Sequence, residues 1–305
     1  MTGRAYTAIG LGELLWDFLP SGKRLGGAPA NFAYITNLLG DRGLPASRIG
    51  SDALGDEALQ QMDQLGLDAR FVQRDSTHAT GTVRVSIDGA AQPRYEICEA
   101  VAWDFINWTA DWQRLAREAD AICFGSLAQR STESRTTIRR FLNEASPAAV
   151  RIFDVNLRQN FYSKEVLTES MTGATIVKVN HEELAAIMKL FEIENRGEEE
   201  SARTLLSLYR LKLICVTRGS RGSLLLTPED RSEHPGFKVQ VADTIGAGDA
   251  FTAALAHGYL RRKPLQEMNE TANRVGAWVA SRSGSMPSVK AGGLEEFVAG
   301  NLSTK

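Results

Sequence analysis

The sequence predicts an α/β protein: one central, mostly parallel sheet with helices on both faces, plus a small β flap. Three observations carry this. From about Ala119 onward, short apolar runs alternate with helix-length segments. The runs are apolar at nearly every position, as expected of strands buried on both faces. One earlier stretch alternates apolar and polar residues instead, the pattern of a strand with one wet face.

Taken in order, Tyr6–Gly10 is a short apolar run expected to join the central sheet. Thr80–Ile87 reads Thr-Gly-Thr-Val-Arg-Val-Ser-Ile, then Asp88-Gly89, then Arg94-Tyr95-Glu96-Ile97. Two antiparallel strands joined by an Asp-Gly turn fit this pattern. The hairpin belongs either to a separate flap or to an edge of the main sheet. Further strands are expected at Ala121–Gly125, Ala149–Val155, Ala174–Val179 and Leu213–Thr217. Helix-length segments separate them, so the strands run parallel. Glu198-Glu199-Glu200 reads as a solvated helix start, and a nearly all-apolar helix runs from Ala250 to about Leu260. No repeat, low-complexity tract or Pro/Gly-rich linker divides the chain, so residues 1–305 are read as one domain, with 80–97 as a hairpin within it.

Composition narrows the function. Hydrophobic residues make up 43% and charged residues 24%, so the chain is neither disordered nor fibrous. Lys+Arg is 35 and Asp+Glu 37, a balance that gives no support for nucleic acid or an anionic membrane as partner. Nowhere do 18 apolar residues run together, and the Met1–Tyr6 start lacks a signal-peptide pattern, which predicts a cytoplasmic protein. Cys98, Cys123 and Cys215 stand far apart with no CxxC pair and read as reduced thiols. Asn107-Trp108-Thr109 matches a glycosylation sequon by chance.

Two glycine segments carry chemistry. Asp243-Thr244-Ile245-Gly246-Ala247-Gly248-Asp249-Ala250-Phe251 places open backbone amides ahead of an apolar helix. Such amides and the helix dipole both attract an anion. Asp249 sits at the junction, as an N-cap or as the carboxylate that phosphoryl transfer to a hydroxyl needs. Gly26-Gly27-Ala28-Pro29-Ala30-Asn31 brings backbone close to something and projects Asn31 from a first helical turn. Asp17 follows a strand; a carboxylate and an amide at neighbouring sheet ends can grip sugar hydroxyls. Either segment alone reads equally as a helix start packed on the sheet. Gly10-Leu11-Gly12 lacks the third glycine of a dinucleotide fingerprint, because Leu15 stands there. No Gly-x-x-x-x-Gly-Lys-Ser/Thr occurs, and His181-Glu182-Glu183 is not a zinc motif.

Together the two segments resemble the signatures of the ribokinase-like, or phosphofructokinase B type, carbohydrate kinases. Asp243–Phe251 fits the family's DTxGAGDxF, and Gly26–Asn31 fits its N-terminal signature. Asp154-Val155-Asn156-Leu157-Arg158, Asn180-His181-Glu182-Glu183, Thr217–Gly222 and Ser283-Gly284-Ser285-Met286-Pro287-Ser288 follow in family order, with Ser285 where Ala is frequent. The resemblance implies a ribokinase-like fold in which the hairpin contributes to a lid. It implies Asp249 as general base and Gly246, Ala247 and Gly248 as anion hole. Asp17, Gly27 and Asn31 fall at sugar-contacting positions, and Arg158 lies near phosphate or acceptor. Asn180 and Glu183 help organise Mg²⁺ and phosphates, partly through water. Thr217, Gly219 and Gly222 continue the ATP site, with Asn273 near adenine. Asp243, Gly284 and Ser288 match a monovalent cation site, K⁺, of some members.

The resulting expectation is an ATP-dependent sugar kinase acting on a primary hydroxyl. Gly12–Asp17, Gly26–Asn31 and Ala102-Trp103-Asp104 look most like the fructokinase branch, with Trp103 as a wall of the sugar pocket or as core. D-fructose is the expected acceptor. The competitor is 2-keto-3-deoxygluconate, whose carboxylate would need Lys23, Arg84 or Arg158; ribose and nucleosides stay open. A nicotinamide dehydrogenase and a non-catalytic sugar sensor are the rival classes. A half-exposed lid would offer a homodimer surface.

Overall fold

The computed structural model describes residues 4–19, 22–87, 93–289, 294 and 300. Strand β1 (Thr7–Leu11) enters the central sheet, and β2 (Leu15–Leu19) and β3 (Gly22–Gly26) leave it as an antiparallel pair. Helix α1 (Ala28–Leu38) returns the chain to β4 (Arg42–Gly50), and α2 (Ala53–Gln64) leads to β5 (Val72–Asp75). Next come β6 (Gly81–Ile87) and β7 (Pro93–Ile97), then α3 (Ala110–Glu118) and β8 (Ala121–Phe124). The following units are α4 (Thr132–Glu144) with β9 (Val150–Asp154) and α5 (Lys164–Thr172) with β10 (Ile176–Asn180). Helices α6 (His181–Leu190) and α7 (Glu198–Leu208) precede β11 (Leu213–Thr217), β12 (Ser223–Leu226) and β13 (Arg231–His234). Helices α8 (Ala247–Leu260) and α9 (Leu265–Ala280) close the series.

Among the described residues the central sheet has nine strands in the order β13-β12-β11-β10-β9-β8-β1-β4-β5. Every neighbouring pair from β11 to β5 is parallel; β12 and β13 add an antiparallel edge. The chain moves outward from β1 to β4 and β5, then restarts on the other side of β1 with β8. That reversal opens a crevice at the carboxyl ends of the strands, where ligands of such sheets bind.

Alternation along the strands sorts the core into two clusters, one per sheet face. Ile9, Leu11, Ile122, Phe124, Val177, Val179, Ile214 and Val216 pack with residues of α3 to α7. Ala8, Ala121, Cys123, Ile152, Ile176, Leu213 and Cys215 pack with α1, α2, α8 and α9. The predicted strands other than those of the hairpin each lie in this sheet within two residues of their expected ends.

The hairpin is not an edge of the main sheet. It belongs to a separate four-stranded sheet, β3-β2-β6-β7, in which Leu15 pairs with Gly81 in parallel. The expected Asp88-Gly89 turn lies outside the described residues. Asp17 is therefore mid-strand in the small sheet, opposite Arg24, rather than at a main-sheet end as expected. Among the described residues no helix is long and apolar enough to cross a membrane.

Candidate active site

Two helix starts meet at the crevice. Helix α1 begins after Gly27, which holds φ at 110°. A Cβ there would lie 2.4 Å from the Glu13 carbonyl oxygen, so the backbone passes where only glycine fits. The amide of Ala28 donates to Glu13 Oε1 at 3.3 Å, which caps the helix from the loop after β1. Helix α8 begins after Gly246, φ 79°, where a Cβ would lie 2.4 Å from Ser285 Cβ. Among the described residues, neither N-cap residue, Gly27 or Gly246, supplies a side-chain cap of its own. Asp249 is not the N-cap: it is the third residue of α8, and its carboxylate leaves the helix end open. The first bond of the α8 ladder runs from Ala250 N to Gly246 O at 2.9 Å. Of the expected anion-hole residues Gly246, Ala247 and Gly248, Ala247 has its amide engaged by Thr244 O at 3.3 Å; the amides of Gly248 and Asp249 precede the ladder and have no intrahelical carbonyl to reach.

Asn31 joins the two ends. Its Nδ2 donates to Asp249 Oδ2 at 2.7 Å, while its Oδ1 is buried without a partner among the described residues. An orphaned buried acceptor beside a carboxylate suits a ligand hydroxyl.

Three carboxyls here hold their protons unusually well. Burial pushes Glu13 up to about 7, with the Asp249 charge adding to it. Burial raises Asp17 to about 6, opposed by Arg158. Burial raises Asp249 to about 6; the charge of Asp154 adds to this, while the Asn31 bond, Lys178 and Arg158 oppose it. Such clustering of displaced carboxyls in one crevice marks a chemical site. Arg158, exposed beyond β9, is the cation these three acids share.

The residues expected on the nucleotide side start from the ends of β10 and β11. Asn180 ends β10 and Thr217 ends β11. Asn180 and Glu183 form a capping box: Glu183 N donates to Asn180 Oδ1 and Asn180 N to Glu183 Oε2, each at 2.8 Å. Glu183 Oε1 also accepts from Leu157 N at 3.0 Å, so both its oxygens are engaged by backbone. Gly219 begins a short helical turn, and Gly222 passes close to the His234 carbonyl. The Asn273 side-chain amide donates inward to Ser223 Oγ at 2.7 Å and to Asn269.

Two expectations need correction. Trp103 is fully buried, with Arg130 stacked 4.0 Å from its ring centre and Gly81 against its indole, so it is core and walls no pocket. The Asp243 carboxylate, expected beside a monovalent cation, is taken by Arg24 of the small sheet at 2.6 Å. Arg24 also donates to Ser283 Oγ at 3.0 Å. Gly284 N donates to Asp243 Oδ2 at 3.3 Å, whereas Ser288 is exposed.

Sequence reading missed Glu13, Arg24 and Lys178. Two of them carried a signal: Glu13 is an acid between Gly12 and Leu14-Leu15-Trp16, and Lys178 interrupts Ile176-Val177 and Val179. A charge inside an apolar run needs a buried partner. Arg24 carried none.

Comparison with known proteins agrees with this geometry. The chain matches the pfkB family of carbohydrate kinases over residues 21–291. An uncharacterized sugar kinase of Pyrococcus horikoshii is 31% identical over 276 residues, covering 86% of this chain and 83% of that one. Its structure in complex with ATP superposes with a TM-score of 0.76 at 29% identity, covering 92% of this chain and 94% of that one. Fructokinase-1 of Oryza sativa is 27% identical over 317 residues, with 95% of this chain and 96% of the relative covered. The fructokinase of Escherichia coli is 27% identical over 301 residues, with 90% and 94% covered. Open amides, a displaced carboxyl at the helix end and a signature spanning most of the chain converge: this protein is a member of the pfkB family of carbohydrate kinases.

Proposed function

We propose that the protein transfers the γ-phosphoryl group of ATP to a primary hydroxyl of a sugar, and that the sugar is D-fructose, giving fructose 6-phosphate. The observation that carries this is Asp249: a desolvated carboxyl of pKa about 6, gripped by Asn31 at 2.7 Å, at the open end of α8. A base poised just below neutrality is ionised at pH 7 yet still basic enough to take a hydroxyl proton in flight. The amides of Gly248 and Asp249 face developing charge on the phosphoryl oxygens, where fixed dipoles act most strongly. Asn31 Oδ1 and the carboxyls of Asp17 and Glu13 supply acceptors for sugar hydroxyls.

The small sheet acts as a lid that keeps water from competing with the sugar. Among the described residues there is no cluster of three or more His, Cys, Asp or Glu side chains suited to a metal. Magnesium would enter with the nucleotide, held mainly by phosphates and waters near Asn180 and Glu183, and neutralise phosphate charge.

Charge favours a neutral sugar over 2-keto-3-deoxygluconate. Of the three cations considered for its carboxylate, Lys23 pairs with Glu57. Arg84 is in register with Phe18, on the face of the small sheet opposite Asp17. Arg158 already answers three acids. The test is kcat/KM across fructose, 2-keto-3-deoxygluconate, ribose, glucose and adenosine. Fructose should lead; a preference above about tenfold, about 1.4 kcal/mol, for another acceptor overturns fructose and leaves the family intact.

A further inference from the structure

Behind the anion-binding turn lies a buried ionic group that the reaction as described does not use. Asp154, the last residue of β9, is 3% exposed, and Lys178 on β10 is 7% exposed. Lys178 Nζ donates to Asp154 Oδ1 at 2.9 Å and Oδ2 at 3.1 Å. Thr252, fully buried on α8, places its hydroxyl 2.8 Å from Asp154 Oδ2 and 2.9 Å from the Gly248 carbonyl. A Cβ on Gly248 would lie 3.1 Å from Lys178 Nζ. The ammonium thus touches the turn from the side away from solvent.

A buried ion pair is a costly way to fill a core, since apolar residues of the same volume do as well or better. Here β9, β10 and α8 are tied into one polar group beside Gly248, which argues for a task there.

We propose, on the kinase reading above, that Asp154, Lys178 and Thr252 are positioning residues for phosphoryl transfer: Lys178 keeps a permanent positive charge behind the Gly248 and Asp249 amides, and Asp154 with Thr252 fastens that charge to helix α8. None of the three touches substrate. They act through the backbone of the turn and through the field at Asp249. The groups facing Asp249 are Asn31 from α1, Asp154 from β9, Lys178 from β10, Arg158 from the loop after β9 and Glu13 from the loop after β1. Asp154 favours the protonated form of Asp249 and Lys178 the ionised form. The two partners therefore pull Asp249 in opposite directions, which gives their single variants opposite signatures.

The test uses the full chain with ATP, Mg²⁺ and its best acceptor, reading kcat/KM from pH 5 to 9 by ADP release. Lys178→Met should lower kcat at least about tenfold, toward the 10²–10³ seen when a fixed transition-state donor is lost. It should also move the acidic limb to higher pH, and Asp154→Asn should move it lower. The double variant Asp154→Asn/Lys178→Leu removes both charges together, keeps the core filled, and should retain the thermal midpoint while losing at least about tenfold in kcat. Limbs that stay put, or that move the same way in both single variants, overturn the proposal. If the single variants fail to fold, wild-type kcat in the double variant overturns it. A wild-type protein releasing no acceptor-dependent ADP overturns the kinase reading itself and the proposal with it. A responsive wild type with unresponsive variants overturns only the proposal.

Discussion

Apart from α9, which starts at Pro264, the described helices begin in two ways. Those of one kind close their own ends: Asp52, Thr109, Ser131, Ser163 and Asn180 each accept a bond from an amide in the first turn of α2, α3, α4, α5 and α6. Those of the other kind, α1 and α8, begin at a glycine in left-handed backbone, which supplies no side-chain cap of its own. Helix α7 shows that a glycine start alone is not a site. It follows Gly197 at φ 111°, but Glu198, Glu199 and Glu200 answer the dipole from within its own first turn. In α8 the only first-turn acid is Asp249, and burial favours its protonated form, so it answers the helix dipole less than an exposed acid would. What separates a functional helix end from a structural one is therefore the unmet demand for negative charge, not the glycine.

The largest break in that contrast is Asp249→Asn. It keeps the shape of the open end and removes the base, so kcat should fall about 10²–10⁴-fold while ATP affinity by calorimetry stays close to wild type. Asn31→Ala comes next. A hydrogen bond to a charged group contributes about 1.5–3 kcal/mol, so kcat/KM at pH 7 should drop at least about tenfold. Losing that donor also destabilises the ionised form, so the acidic limb, near pH 6 in the wild type, should move upward.

Glu13→Gln probes stability instead. The folded carboxyl holds its proton to about 7 against 4.5 unfolded, so its ionisation works against the fold as pH rises through that window. The variant should be more stable than wild type at pH 8, by up to about 3 kcal/mol, and the gain should vanish near pH 4. The smallest effect belongs to a closed end. Ser163→Ala on α5 should cost about 1 kcal/mol in denaturant titration and leave kcat unchanged.

The parallel half of the molecule could be read from sequence because β8 to β11 are buried on both faces and spell that out in mostly apolar runs, broken only by Arg151 and Lys178 before their polar ends. Strand β4 could not be, because Gly43, Pro45 and Ser47 interrupt Arg42–Gly50 although the strand lies inside the sheet between β1 and β5. Strands β2 and β3 hid for another reason: Asp17, Lys23 and Arg24 stand where a buried strand would carry apolar residues. The Gly246–Asp249 segment was readable as an anion site because its residue types have one shared use. Its ionic support was not, since Lys178 and Asp154 come from separate strands and only their packing joins them.

The small sheet also sets an order of assembly. Strand β2 pairs directly with β6, so Leu15 must wait for Gly81, while Ala8 on β1 must find Ala121. Asn31 meets Asp249 across 218 positions of chain. Contacts this distant in sequence form slowly, because each closes a long loop before it returns any stabilisation. A chain still being synthesised would hold Glu13, Asp17 and Asn31 in place long before Asp249 emerges. The apolar face that α8 and α9 cover would meanwhile stay open to solvent, a state prone to association with other chains. Catalytic competence would then arrive in the same step that seals this core, so an active molecule is also one whose folding has finished.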